Sequence, residues 1–171
     1  LPEIEDPLSL AIMRLLASLY VPALSAKPEL MWPVSLAHID LCEQKGWTAV
    51  SAIGYVIYGM LLCIQENIPK GYWAGLLAIK LLERFHAKAI SGQVSFIFST
   101  QIQHWQEPLR NCLPPLLDAL QIGLEVGDLT YGSFCVENYC FILFWAGENL
   151  DEVHKQQNLY TDLVVRKIKS E

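Results

Sequence analysis

Apolar residues recur along this chain with a helical rhythm, not an alternating one. Leu8, Ile12, Leu15, Leu16 and Leu19 fall at the three- and four-residue spacing of a single helix face. Prolines and glycines punctuate the pattern. Pro7, with Asp6 before it as cap, opens a first helix over about 8–26. A second runs from Pro28 to Lys45 and stops at Gly46, with Pro33 expected to kink it near its start. A third covers Thr48 to about Glu66, a fourth Pro69 to near His86, and a fifth about Ala87 to Trp105. Pro108 starts a short turn, and Pro114–Pro115 delay a sixth helix that ends near Gly127. A seventh covers about Leu129–Ala146, stopping at Gly147. Asn149 then caps an eighth, with Glu152 placed to complete a capping box. No segment alternates with period two between turn signals. The pattern predicts an all-α chain of about eight helices whose short loops make successive helices antiparallel neighbours.

The helices also repeat. Setting residue 47 against 87 and 128 divides the chain into units of about 7–46, 47–86, 87–127 and 128–169. The twelfth position of the last three units is aromatic: Tyr58, Phe98, Tyr139. The sixteenth is aliphatic: Leu62, Ile102, Leu143. The fifth and sixth are small: Ser51 and Ala52, Ser91 and Gly92, Gly132 and Ser133. Gly46 and Gly127 hold equivalent places just before two of the units. A helix-pair period near 40 marks an α-solenoid. The expected fold is therefore a right-handed α-solenoid of about four antiparallel helix pairs in one helical-repeat domain. It is tetratricopeptide-like: Gly54, Tyr55 and Tyr58 share part of that signature, but its full Trp–Leu–Gly–Tyr spacing is missing.

Composition sharpens the picture. Of 171 residues 53% are apolar and only 18% charged, with mean hydropathy +0.29, against about 25% charged in an ordinary soluble chain. Gly46–Gln65 carries no charge and is nearly long enough to span a membrane. Lys45 and Lys70 flank it without positive-inside asymmetry. Its repeat partners carry Glu137 and Asn138, or Ser95, Ser99, Thr100, Gln101 and Gln103. The expectation is a helix buried all round and no membrane span. A net charge of −6 argues against nucleic-acid partners. The clustered Arg166, Lys167 and Lys169 are expected to complement the dipole of the last helix. Five cysteines, at 42, 63, 112, 135 and 140, include no CxxC. They read as reduced buried thiols in a cytoplasmic setting. His38 and Cys42 share a helix face, but no second pair completes a metal site. Histidines 38, 86, 104 and 154 lie in no nucleophile motif, and glycine-rich phosphate loops are absent. No catalytic residue, cofactor or metal is expected of this segment.

A resemblance goes further. His104-Trp105-Gln106-Glu107-Pro108-Leu109-Arg110, Leu113-Pro114-Pro115-Leu116-Leu117 and Gly123-Leu124-Glu125-Val126-Gly127-Asp128 form its centre. With Leu81-Leu82-Glu83-Arg84-Phe85 upstream and Ser51-Ala52 through Tyr58-Gly59, they resemble a helical region of very large hybrid signalling proteins abundant in cyanobacteria. Those join a serine/threonine kinase, an NTPase-like domain, a helical repeat region, a GAF sensor and a histidine kinase. The resemblance covers about Pro7 to Asn149. It implies a segment excised from a longer protein, with kinase activity and ATP binding belonging to the parent. The expected function is a non-catalytic regulatory module that binds other domains of the parent kinase or a signalling protein or peptide. The alternative is a sensor holding a small apolar ligand within the helical stack. A dimer through exposed solenoid ends is a further expectation.

The repeat register nominates Tyr55, Gln93, Gln101, Glu137 and Asn138 as groove-facing partner-binding groups. Glu137 and Asn138 interrupt an apolar run, where a carboxylate is costly unless paired or wetted. They face a groove or hydrogen-bond a neighbouring helix. The aromatic set Tyr55, Tyr58, Trp73, Phe96, Phe98, Tyr131 and Trp145 reads as inter-helix packing more readily than as a peptide groove.

Overall fold

A computed structural model describes residues 1–169. Those residues are 84% helical with no strand. Eight α-helices follow one another: α1 (Pro7–Ala26), α2 (Met31–Lys45), α3 (Ser51–Ile64), α4 (Ile68–Arg84), α5 (Lys88–Ile97), α6 (Leu113–Val126), α7 (Leu129–Trp145) and α8 (Leu150–Lys169). The chain forms two compact units, Leu1–Ile90 and Ser91–Glu171, with the division inside α5.

In the first unit, α1 starts where Asp6 accepts the backbone N–H groups of Leu8 and Ser9 at 3.4 and 2.9 Å. Its packed face is not the one the leucine spacing suggests. Ser9, Met13, Tyr20 and Ala23 are buried, while Leu8, Ile12, Leu15 and Leu19 form an exposed stripe. The helix is apolar on two faces, and periodicity cannot say which one is covered. At 20 residues and mean hydropathy 1.6, α1 is also long and apolar enough to cross a membrane. The uncharged third helix is shorter, and its residues Ser51–Ile57 are buried without a break, as an all-round apolar helix requires. A 3-10 turn, Pro28–Leu30, precedes α2 and puts Pro33 in the first helical turn, where its missing N–H has no partner to lose. A Cβ on Gly71 would collide with Cys63 Sγ and sit 2.7 Å from the Gly59 carbonyl. Glycine there lets α3 and α4 approach closely. The N-terminal strand-like segment pairs with the α2–α3 connection: Ile4 N–H donates to Trp47 O at 2.9 Å and Trp47 N–H to Pro2 O at 2.7 Å.

In the second unit, the helix expected to run unbroken to Trp105 leaves α-geometry after Ile97. It becomes a π-helical turn over Phe98–Ile102 and then a 3-10 turn over Gln103–Trp105. Thr100 Oγ1 donates to the Phe96 carbonyl at 2.7 Å, and such back-bonding bends helices. The chain then turns a corner stitched by side chains. The Gln103 amide donates to Glu107 Oε2 (3.1 Å) and Asn111 O (3.3 Å), and Asn111 Nδ2 donates to Glu107 Oε2 (2.9 Å). Arg110 pairs with Glu148 at 3.0 Å. The core joins Cys112, Leu116, Ala119, Cys135 and Ile142, flanked by Phe96 and Tyr139. Asn149 caps α8 by accepting the Asp151 N–H at 2.8 Å. The capping box is not closed: the Asn149 N–H goes to Glu148 Oε1, and Glu152 accepts from Gln156 instead. Arg166, Lys167 and Lys169 fall within α8, but their expected role at its dipole rests on side chains outside those described.

Four helix ends share one geometry. Glu66, His86, Gly127 and Gly147 all have positive φ, at 63, 47, 80 and 76°. After each, the next residue's N–H reaches the carbonyl five back: Asn67 to Leu62 (2.9 Å), Ala87 to Leu82 (3.0 Å), Asp128 to Gly123 (2.9 Å) and Glu148 to Leu143 (3.1 Å). This is the Schellman closure.

Candidate functional site

A concave surface lies in the second unit, between α7 and α8. Its volume is about 490 Å³. The α7 wall is Ser133, Val136, Glu137, Cys140, Phe141 and Phe144. The α8 wall is Val153, Gln157, Thr161 and Val165, one residue per turn. Each wall is therefore a row of side chains at three- or four-residue spacing, the ridge that helices use to pack on helices. The two helices also meet through Tyr139 and Tyr160, whose rings lie edge to face at 5.6 Å. Phe141 and Phe144 are about half exposed, at 54% and 49%, so the trough is open to solvent along α7.

The polar groups of α7 satisfy themselves. Ser133 Oγ donates to Leu129 O at 2.7 Å, and Asn138 Nδ2 to Phe134 O at 2.9 Å. Neither of these bonds reaches another helix. Glu137 is exposed, and water meets the solvation demand its sequence position raised. Among the described residues it has no ionic partner. Gln93 is half-buried on α5. Gln101 is exposed and donates to Thr100 Oγ1.

A second surface lies in the first unit, about 360 Å³ between α3 and α4, where Tyr55, Tyr58, Trp73 and Lys80 meet. Tyr55 is an anchor more than a contact. It is 8% exposed, its hydroxyl accepts Trp47 Nε1–H at 3.3 Å, and burial pushes its phenol pKa up. Tyr58 stacks on Trp32 at 5.9 Å, while Trp73 is 68% exposed. Of the five nominated residues, Glu137 lines the first surface and Tyr55 the second, and Gln93, Gln101 and Asn138 line neither. Sequence reasoning missed Phe141, Phe144 and the α8 wall. The signal was present: Val153, Gln157, Thr161 and Val165 recur every four residues. The aromatic set divides as well. Phe96, Tyr131 and Phe134 cluster at 5.6–6.2 Å, and Trp145 is 73% exposed.

The buried chemistry is inert. His38 and Cys42 share a face of α2 but turn to different partners, His38 Nδ1 to the Tyr20 hydroxyl at 3.1 Å and Cys42 Sγ to Ser51 Oγ at 3.3 Å. Burial pushes the His38 pKa down to about 4. It pushes the thiols of Cys42 and Cys112 up to about 11 and that of Cys135 to about 12. Thiols so shifted stay protonated and are weak nucleophiles. Among the described residues no three metal-ligating side chains cluster.

No protein-family model matches the chain, and no solved structure does. One curated protein is similar: hybrid signal transduction histidine kinase G of Dictyostelium discoideum, 22% identical over 129 residues. The match covers 74% of this chain and 4% of that protein.

Proposed function

We propose that this segment is a non-catalytic interaction module of a large cytoplasmic signalling kinase, and that its mechanism is binding. The observation that carries the reading is the α7–α8 trough, a three-turn apolar surface with one unpaired carboxylate among the described residues. Such a surface holds a partner through buried apolar contact and sets its register by charge. The signalling context rests on the likeness to a hybrid histidine kinase and on the sequence resemblance above. The tetratricopeptide-like solenoid draws support from the recurring Schellman closures and from the buried sixteenth positions, Leu62, Ile102 and Leu143. Other domains of the parent kinase are the natural partners. Removing the Glu137 carboxylate as Glu137→Ala weakens binding of the parent's neighbouring domains and leaves the thermal transition in place. If the melt collapses, or if binding is unchanged, Glu137 is not the partner-binding group and the reading fails.

A further inference from the structure

We propose that the α7–α8 groove receives one amphipathic α-helix, apolar along a single stripe and carrying a basic residue that meets Glu137. This rests on the interaction-module reading and names its partner's chemistry.

Shape excludes most other occupants. The α7 wall runs from Ser133 to Phe144 and the α8 wall from Val153 to Val165. At about 1.5 Å per residue each spans roughly 16–18 Å, three turns of helix. A compact ligand recruits convergent side chains, whereas these walls are two parallel ridges. Both walls are helices whose main-chain groups are bonded internally, so they offer no free N–H or C=O row to an extended peptide. An extended segment pressed on Val136, Phe141, Phe144 and Val165 would bury its own backbone polar groups unpaired. A helix satisfies its backbone by itself and brings only side chains to the interface.

Charge then selects the helix. Among the described residues that line the two walls, Glu137 is the only carboxylate, and it has no counter-ion among the described residues. An apolar helix covering it strips its water without compensation. A Lys or Arg at the matching turn restores the balance and fixes the register, and an acidic residue there is rejected.

The test uses the full chain and labelled synthetic amphipathic helices of about 16 residues, with a leucine stripe and one Arg scanned turn by turn. One Arg register is expected to bind saturably and to gain helical circular dichroism on binding. Glu137→Arg is expected to weaken that peptide at least tenfold, and replacing the peptide's Arg by Glu to restore affinity for the variant. Phe141→Asp should abolish binding, and Trp73→Ala in the other unit should not change it. Thermal melts of each variant establish that the exposed substitutions leave the fold intact. The proposal is overturned if no register binds, if Phe141→Asp is silent, or if the charge swap fails to rescue. If the parent's domains still bind the chain in that event, the interaction-module reading survives alone. If they do not bind either, both fall.

Discussion

His38 makes a quantitative prediction about stability and pH. Its ring is fully buried and stacks on Tyr20 at 5.9 Å and 12°. Nδ1 has the Tyr20 hydroxyl, and Nε2 has no partner. Either neutral tautomer leaves one nitrogen unsatisfied, and protonation would bury an uncompensated cation. The folded state therefore holds the pKa at about 4, against 6.5 for a free histidine. Below pH 6.5 the unfolded chain binds a proton that the folded chain refuses. Stability is thus complete above pH 6.5 and falls as pH drops towards 4. The full loss is about 3 kcal/mol, of which about 2 kcal/mol has gone by pH 5. For a chain of this size that is roughly 4–8 °C in melting temperature. Asp6 titrates below this window, because Ser9 holds its carboxyl below its ordinary 3.8. His104, whose pKa burial also lowers, adds the same slope to wild type and a His38 variant alike, so their difference isolates His38. The assay is urea unfolding at pH 7, 6 and 5 for the wild type and for His38→Phe, which keeps a flat ring against Tyr20 and cannot titrate. The variant is expected to lose about 2 kcal/mol less between pH 7 and 5. Parallel pH slopes for the two proteins would refute the account.

Further expectations follow from the glycines and thiols. Gly54→Ala puts a Cβ 2.8 Å from the buried His38 ring and should cost about 1–3 kcal/mol in chemical denaturation. Gly132→Ala meets nothing nearer than Leu120 at 3.7 Å and should be neutral or gain about 0.5–1 kcal/mol from helix propensity. Glu66→Gly and His86→Gly relieve left-handed backbone at exposed helix ends, and each should raise stability by up to about 1 kcal/mol. Ellman's reagent on the native protein at mildly alkaline pH should leave Cys42, Cys112 and Cys135 unreacted and reach Cys140 slowly. All three are fully buried with raised pKa values, and Cys140 is half-buried. Rapid native titration of all five would contradict the packing.

Helix order was legible because punctuation and periodicity agree: Asp6, Pro7, Gly127 and Asn149 each end or begin a helix where expected. Two kinds of information were not. The first is backbone geometry without a glycine to announce it. Glu66 and His86 adopt the left-handed turn that Gly127 and Gly147 adopt, so the repeat of helix ends runs further in the backbone than in the residue types. The break after Ile97 is similar, since Thr100 and Gln103 satisfy themselves in ways that no period reveals. The second is which of two apolar faces is covered. Leu8, Ile12, Leu15 and Leu19 are as well spaced as Met13, Tyr20 and Ala23, and only packing distinguishes them. For Glu137 the sequence left two readings open, a groove or a neighbouring helix, because a carboxylate inside an apolar run is satisfied by either water or a partner, and exposure rather than pattern distinguishes them. Its partners on the wall were not legible, because Phe141 and Phe144 resemble any core aromatic.

The low charge content is the constraint that links these observations. The first half of α3 accounts for part of it, since Ser51–Ile57 is buried without a break and needs no polar face. The remainder is displayed: the leucine stripe of α1 and the Phe141, Phe144 and Trp145 ridge of α7 stand half or more exposed or close to it. On the proposed reading, this displayed apolar surface is where partners dock. The two surfaces differ in what they specify. The α1 stripe has no acidic residue and a lone Arg14 among its apolar positions, so it discriminates by shape alone. The α7 ridge carries Glu137 within it, and a carboxylate among phenylalanines discriminates by charge as well. On the proposed reading, the partner is told apart from other amphipathic helices at the α7–α8 groove, whose described lining includes Glu137.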